Sequence, residues 1–260
     1  MQEPKSSKEL FVQTWSLYKT KLKALLGINI APLLLGILIG AVALLVTNNE
    51  GLKTATATGT VFLLGLIAGI VLVITNILSQ IATLFALDGN NSIKQAYSLS
   101  LGKFWIYLGI SLWVGLVVLF GFIMFIIPGF LFAIWFSFAV YAVILDNVRF
   151  GESLGYSKRL VKGYYWKVLG RYLLLAVAML ILYIPVFVLD PDGSQSLIPL
   201  METNLSVKDI TSSAYSFLYT LFVTPFVTAF AYLLYKDLKD VKASKETLIN
   251  EQNQEDATTA

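Results

Sequence analysis

Cysteine and histidine are both absent from the 260 residues. Without thiols there is no disulfide, no thiolate metal site and no cysteine nucleophile. Without imidazole, the chain lacks the side chain best suited to proton transfer near neutral pH and the commonest metal ligand. Neither a zinc centre nor a Ser-His-Asp triad can be built from the remainder, so no catalytic, metal or cofactor residue is expected. The chain reads as non-enzymatic. Charge is scarce as well, at 13% of residues against about 25% in an average soluble domain. Apolar residues reach 57%, against roughly 45–50%. The charges are clustered, which leaves long uncharged stretches whose natural solvent is hydrocarbon. The first 23 residues are polar and basic, so residues 25–46 are expected to act as an uncleaved anchor rather than a signal peptide.

A helix needs about 20 apolar residues to cross roughly 30 Å of hydrocarbon. Residues 25–46 and 61–87 satisfy this, separated by the polar turn 47–58. Residues 104–145 then run without one charged side chain. A single helix of that length would extend about 60 Å, twice the membrane, so the segment must fold back on itself. Pro128-Gly129 is the expected turn, proline suiting a helix start and glycine a reversal. Residues 168–189 and 214–235 complete six spans. The fold class is therefore an all-α integral membrane protein, residues 1–242, with 243–260 expected to be a disordered tail because its composition is too polar to fold alone.

The positive-inside rule tests this map independently, because hydropathy alone drew it. With the N-terminus inside, 17 of the 19 basic residues fall on the inner side, and only Lys53 and Lys208 fall outside. A multi-pass protein of the cytoplasmic membrane with both termini cytoplasmic follows.

Two segments align without gaps. Residues 92–109 read SIKQAYSLSLGKFWIYLG and residues 153–170 read SLGYSKRLVKGYYWKVLG, sharing Gly102/Gly163, Trp105/Trp166 and Leu108-Gly109/Leu169-Gly170. Residues 11–27 match more loosely, and the second and fourth spans both end Leu-Asp, at Asp88 and Asp146. This suggests three parallel units, 7–88, 92–146 and 153–242, each an interfacial helix followed by a helical hairpin.

Three groups of residues are candidates for function. Phe11, Trp15, Tyr18 and Leu22 recur at helical spacing, as do Leu154, Ser157, Leu160 and Tyr164. Lys158, Arg159 and Lys162 occupy another face of the second set. Such helices suit the headgroup layer. Their cations are either ordinary topological anchors or a site for anionic lipid headgroups. Membrane lipids are the expected partners, with a membrane protein or a second copy also compatible and nucleic acid not. The second group is a pair of polar stripes: Asn76, Ser79, Gln80 and Thr83 in the second span, and Thr220, Thr224 and Thr228 in the sixth. Hydrocarbon-facing polar groups are costly, so both stripes should point into the bundle, where they serve helix–helix hydrogen bonding or line a cavity for a small solute. The third group is Asp190, Asp192, Glu202 and Asp209, read as turn residues rather than a metal site. No Asp, Glu, Lys or Arg lies mid-span, which argues against ion-coupled transport.

Residues 127–146 read IPGFLFAIWFSFAVYAVILD, and 151–170 continue GESLGYSKRLVKGYYWKVLG. With Pro128-Gly129, Trp135, Phe138, Leu145-Asp146, Ser157 and Trp166, this stretch resembles the membrane domain attached to some bacterial glycerophosphoryl diester phosphodiesterases and its standalone relatives of uncharacterised function. The resemblance implies a membrane module without the histidine-dependent catalytic barrel, for which the chain has neither the histidines nor a long enough soluble segment. On this reading the chain is a scaffold or lipid-associating module, the alternative being a passive transporter or channel for a small or amphiphilic solute. The orientation is testable because the chain is cysteine-free. Lys53→Cys should react with an impermeant maleimide on intact cells and Lys245→Cys only after lysis. The opposite pattern would invert the topology.

Overall fold

Long uncharged runs can satisfy their backbone in hydrocarbon only as helices. The computed structural model, which describes residues 3–47, 55–89, 91–189 and 207–259, is built of them. In chain order the described residues form α1 (Ser7–Thr47), α2 (Ala55–Asp88), α3 (Ile93–Met124), α4 (Ile126–Phe136), α5 (Ala139–Leu145), α6 (Phe150–Val161), α7 (Tyr165–Leu189) and α8 (Val207–Thr259). No strand occurs among them. Six segments are long and apolar enough to cross a membrane: Ser7–Val42, Val61–Asp88, Ile93–Met124, Ile126–Leu145, Tyr165–Val186 and Ala214–Gln254. The protein is an all-α, multi-pass membrane fold, and the fourth span is α4 and α5 together.

Polar contacts gather the cations at one end of the bundle. Lys21 Nζ donates to the Gly89 carbonyl at 2.6 Å, where it also opposes the negative end of α2. Lys103 reaches Asn147, Lys236 reaches Asp88 at 2.8 Å, and Lys239 reaches Asp146 at 2.7 Å. This basic end also holds the best-buried core. Leu10, Phe138, Val161, Val168, Phe230, Leu234, Tyr235 and Leu238 form one cluster, with α8 running through its centre. At the other end α2 stands apart: Phe62, Leu64, Ile67 and Ile70 are exposed, and a Cβ at Gly65 or Gly69 would meet nothing within 4 Å.

Of the three interfacial helices expected, one exists as a separate element. In the first unit the amphipathic stretch is the continuous start of α1, and its apolar face packs on α8: Phe11 lies 4.9 Å from Phe230, and Tyr18 lies 5.6 Å from Phe226. In the second unit a capping box of Ser92 and Gln95 starts α3, which continues straight through Gly102. Only in the third unit does the aligned glycine break the helix. Gly163 has φ +90°, a conformation that costs an L residue roughly 1–2 kcal/mol, and it separates α6 from α7. Of the face expected on this segment, Ser157, Leu160 and Tyr164 are buried and Leu154 is half-buried, and Ser153 and Val161 are buried beside them.

Two further expectations shift. The hairpin reverses at Phe125, whose backbone is extended, three residues before Pro128. Pro128 then sits in the first turn of α4, where its missing N–H costs nothing. Gly129 contributes close approach rather than a turn, since a Cβ there would lie 2.4 Å from the Phe122 ring, and one at Gly121 would lie 3.1 Å from the Gly129 Cα. Residues 243–259, expected to be disordered, continue α8. Their Glu, Gln, Lys and Ala are strong helix formers, and extending an existing helix avoids the cost of nucleation.

The fourth span is interrupted at Ser137 and Phe138, and α6 repairs the break. Ser157 Oγ donates to the Trp135 carbonyl at 2.7 Å and accepts from the Phe138 N–H at 3.2 Å. Ser137 Oγ donates to the Ile134 carbonyl at 2.9 Å. Ser157→Ala would orphan a buried donor and a buried acceptor, so a loss of about 1–3 kcal/mol is expected in denaturation of the detergent-solubilised protein. Ser153→Ala, whose hydroxyl bonds only within α6 to Phe150, should cost less. Equal losses would remove the repair role.

Candidate functional site

Three spans carry a proline in the helix interior, and beside each of them a carbonyl accepts from the hydroxyl of a neighbouring helix. Pro32 in α1 deprives the Ile28 carbonyl of its donor. That oxygen accepts instead from Ser79 Oγ at 3.2 Å and the Tyr97 hydroxyl at 2.8 Å. Near Pro225 in α8, the Phe222 carbonyl accepts from the Tyr18 hydroxyl at 3.1 Å. Near Pro185 in α7, the Leu182 carbonyl accepts from the Tyr215 hydroxyl at 2.6 Å. Asn29, buried in α1, donates to the Leu25 carbonyl at 2.8 Å and to Thr83 Oγ1 at 3.2 Å. Thr83 in turn donates to the Ser79 carbonyl at 2.8 Å. The basic-end half of the α2 stripe is therefore structural.

Beyond this belt a cavity of about 470 Å³ opens between α1, α2 and α8. Pro32, Leu33, Gly36, Ile37 and Gly40 form its α1 wall, Leu72, Asn76, Ser79 and Gln80 its α2 wall, and Phe217, Thr220 and Thr224 its α8 wall. A Cβ at Gly36 would meet the Leu72 side chain across it at 3.5 Å. The two predicted stripes thus meet across a shared volume. Thr228 does not join it and bonds back to the Thr224 carbonyl at 3.1 Å. Among the described residues the side chains of Gln80, Thr220 and Thr224 make no hydrogen bond, and no charged residue lines the space. Along the helices, Gln80 lies about 12 Å from Asp88 and Thr224 about 18 Å from Lys236, so the cavity occupies hydrocarbon depth. Nearer the basic end of the same three helices, Tyr18, Leu25, Leu87, Ala229 and Tyr232 pack into one apolar cluster.

The basic end also carries three carboxylates, each held by neighbours. Asp88 accepts from the Tyr232 hydroxyl at 2.9 Å and from Lys236 at 2.8 Å. Asp146 accepts from the Tyr235 hydroxyl at 2.6 Å and from Lys239 at 2.7 Å. In both cases α8 presents a tyrosine and the lysine four residues later, one face of one helix. Asp237 is the third and the most buried. Arg171 pairs with it at 3.2 Å, both side chains being 4% exposed, and the Lys5 N–H donates to it at 3.1 Å while Arg171 also bonds the Lys5 carbonyl. The start of the chain is thereby strapped to α7 and α8. Glu3 extends the strap: its bond to Lys167 at 2.9 Å holds its carboxyl below the usual range.

The lysines and arginine expected to form one headgroup site are splayed instead. Lys158 lies over the Trp135 ring at 4.3 Å, Arg159 lines a groove against α8, and exposed Lys162 offers its carbonyl to Lys242. Asp190, Asp192 and Glu202 lie outside the described residues. Among the described residues no three acidic side chains come together as a metal site. Sequence reasoning missed Asn29, Tyr97 and the carboxylate clamps. The signals were present in a lone amide inside an apolar run, a proline four residues after Ile28, and the Tyr-x-x-x-Lys spacings of α8.

Removing one partner of a buried ion pair strands the other, so Arg171→Met should cost about 3–5 kcal/mol in detergent unfolding. Combining it with Asp237→Leu should recover a substantial part. A single-variant cost under about 1 kcal/mol would contradict a dry, buried pair. No protein-family model matches the chain, and neither a curated protein nor a solved structure matches it.

Proposed function

We propose that this protein takes a small neutral or amphiphilic molecule into the cavity between α1, α2 and α8 and lets it pass or partition without coupling to an ion. The observation that carries this reading is that Gln80, Thr220 and Thr224 present unpartnered hydrogen-bonding groups to a space of about 470 Å³ at hydrocarbon depth. An unpaired polar group in hydrocarbon is costly, and a ligand or its hydration removes that cost. The volume is within the range of small-molecule sites, and its uncharged lining suits a hydroxyl- or amide-bearing solute rather than an ion. The role is non-enzymatic, in the cytoplasmic membrane, with the basic end and both termini on the cytoplasmic side.

Kinship with the phosphodiesterase-associated membrane domains is part of the same proposal and rests on Pro128-Gly129, Leu145-Asp146, Ser157 and Trp166. So does the threefold repeat. Trp105 and Trp166, aligned in sequence, are 78% and 79% exposed, and each stands edge-on to the aromatic residue before it, at 5.2 and 5.4 Å. Asp88 and Asp146 are held by the same pair of residue types. A second reading, a scaffold for a partner at the basic end, draws on the stretch of α8 from Lys236 to Thr259, which projects about 35 Å beyond its apolar part.

The double variant Gln80→Leu with Thr224→Val separates the alternatives by sign. If these groups serve a ligand, thermal stability should hold or rise, because apolar groups replace unpaired polar ones. Glycerol flux into proteoliposomes, or binding of a fluorescent monoacylglycerol, should fall on the order of tenfold. Loss of stability with unchanged flux, or wild-type behaviour equal to empty liposomes for both probes, defeats the proposal.

A further inference from the structure

The groove between α6 and α8 at the basic end has a volume of about 260 Å³ and is separate from the cavity described above. It is lined by Tyr156, Arg159 and Leu160 from α6 and by Lys239, Lys242 and Glu246 from α8. We propose that this groove binds one singly charged phosphodiester group, supplied by the headgroup of an anionic lipid or by a soluble phosphodiester.

Most neighbouring cations are already engaged. Lys158 lies over Trp135, Lys236 pairs with Asp88, Lys167 with Glu3, and Arg171 with Asp237. Arg159 is different: it lines the groove, and among the described residues its guanidinium has no acidic, carbonyl or aromatic partner. One of its terminal nitrogens lies 3.6 Å from where a Cβ at Gly155 would sit, so the side chain runs back along α6. An arginine fork matches two phosphate oxygens at once. Opposite it, the Lys242 ammonium donates one hydrogen bond, to the Lys162 carbonyl at 2.9 Å, and keeps donors to spare. The Tyr164 ring supports it at 5.4 Å.

The local charge selects the ligand. Lys239 is balanced by Asp146 at 2.7 Å, Arg159 and Lys242 outnumber Glu246 in the lining, and Lys245 stands over the same Tyr164 ring as Lys242 at 5.0 Å. That excess of positive charge suits a phosphodiester anion, and Glu246 adds an acceptor for a headgroup hydroxyl. Depth agrees. Lys239, Lys242 and Glu246 follow Tyr235 by about 6, 10 and 16 Å along α8, which places the groove in the headgroup layer beyond the end of the span.

Binding to the full-length protein in a non-ionic detergent would be measured by calorimetry. The probes are short-chain phosphatidylglycerol, short-chain phosphatidylcholine and dimethyl phosphate. Phosphatidylglycerol should bind roughly tenfold tighter than phosphatidylcholine at low salt, and the preference should shrink as salt rises. Arg159→Gln with Lys242→Gln should abolish the preference, while Lys94→Gln, an exposed cation on α3, should leave it intact. Both variants alter exposed or half-buried side chains, and an unchanged size-exclusion profile and melting temperature would confirm that they fold. Comparable binding of dimethyl phosphate, lost in the same double variant, would assign the site to a soluble phosphodiester; its absence alongside lipid binding assigns it to the membrane. Equal affinity for the two lipids, or equal loss in Lys94→Gln, would overturn the proposal.

Discussion

The carbonyl of Ile28 has lost its helical donor to Pro32, and much of the bundle's interior can be understood as the response. In water such an oxygen would be hydrated; in hydrocarbon it must find a donor within the protein. It finds two, Ser79 from α2 and Tyr97 from α3. These bonds fix where α2 crosses α1 and bring the start of α3 against the same turn. Asn29 and Thr83 then lock the next turn of the same crossing. Tyr18 and Tyr215 likewise donate to carbonyls near Pro225 and Pro185, one residue after those that the prolines leave without a helical donor. In each case a hydroxyl from another span ties a proline-bearing helix to a specific neighbour, and this supplies register in a setting where apolar burial alone supplies little, since lipid tails are as apolar as leucine.

At the basic end the organising constraint is charge rather than backbone. Three carboxylates are drawn to α8 or lie on it, each with a cation from a different part of the chain or a different turn of that helix. Apolar side chains cannot choose among similar rotations of α8, but the spacing of Tyr232-Lys236 and Tyr235-Lys239 can. Both pairs meet their carboxylates only when that face of α8 looks toward the ends of α2 and α5. The Arg171–Asp237 pair fixes α7 on the other side, and Lys5 closes over it. This end holds, among the described residues, the largest fully buried side chains, Tyr235 and Phe230 on α8 and Phe138 between α4 and α5.

The spans were legible because hydropathy depends only on composition over a window, and the end that collects the cations was legible because loop charge is likewise additive. The partners of each polar face were not. Phe11 and Tyr18 have the spacing of a lipid-surface helix, yet they pack on α8, a choice made by a helix more than 200 residues away. Gly102 and Gly163 align, but only Gly163 takes a positive φ, because the aligned segments meet different neighbours. The α2 stripe was visible as one feature and proves to be two. Ser79 and Thr83 repair and brace α1, whereas Gln80 faces open space. Periodicity assigned all of them to one face, and only the location of Pro32 on the opposing helix divides them.

The cavity can be traced to the contrast between these two ends. Ion pairs and tyrosine hydroxyls draw α1, α2 and α8 together at the basic end, and the hydroxyl-bridged turn at Ile28 holds them for one turn further. Past that level the pinning stops on the sides that face one another. Gly36 and Gly40 on α1 offer no side chain to the gap, and Phe62, Leu64, Ile67 and Ile70 of α2 face outward, while Leu72 reaches the cavity. The three helices, fastened at one end, enclose beyond the fastening a space whose wall mixes apolar side chains with short polar ones. Its polarity is set by Asn76, Gln80, Thr220 and Thr224, none of which is needed to hold the helices where they are. Asn76 satisfies its amide on the Leu72 carbonyl of its own helix at 2.9 Å, whereas Gln80, Thr220 and Thr224 keep their hydrogen-bonding groups open to the space. It is on these three groups that the proposed passage of a small neutral molecule depends.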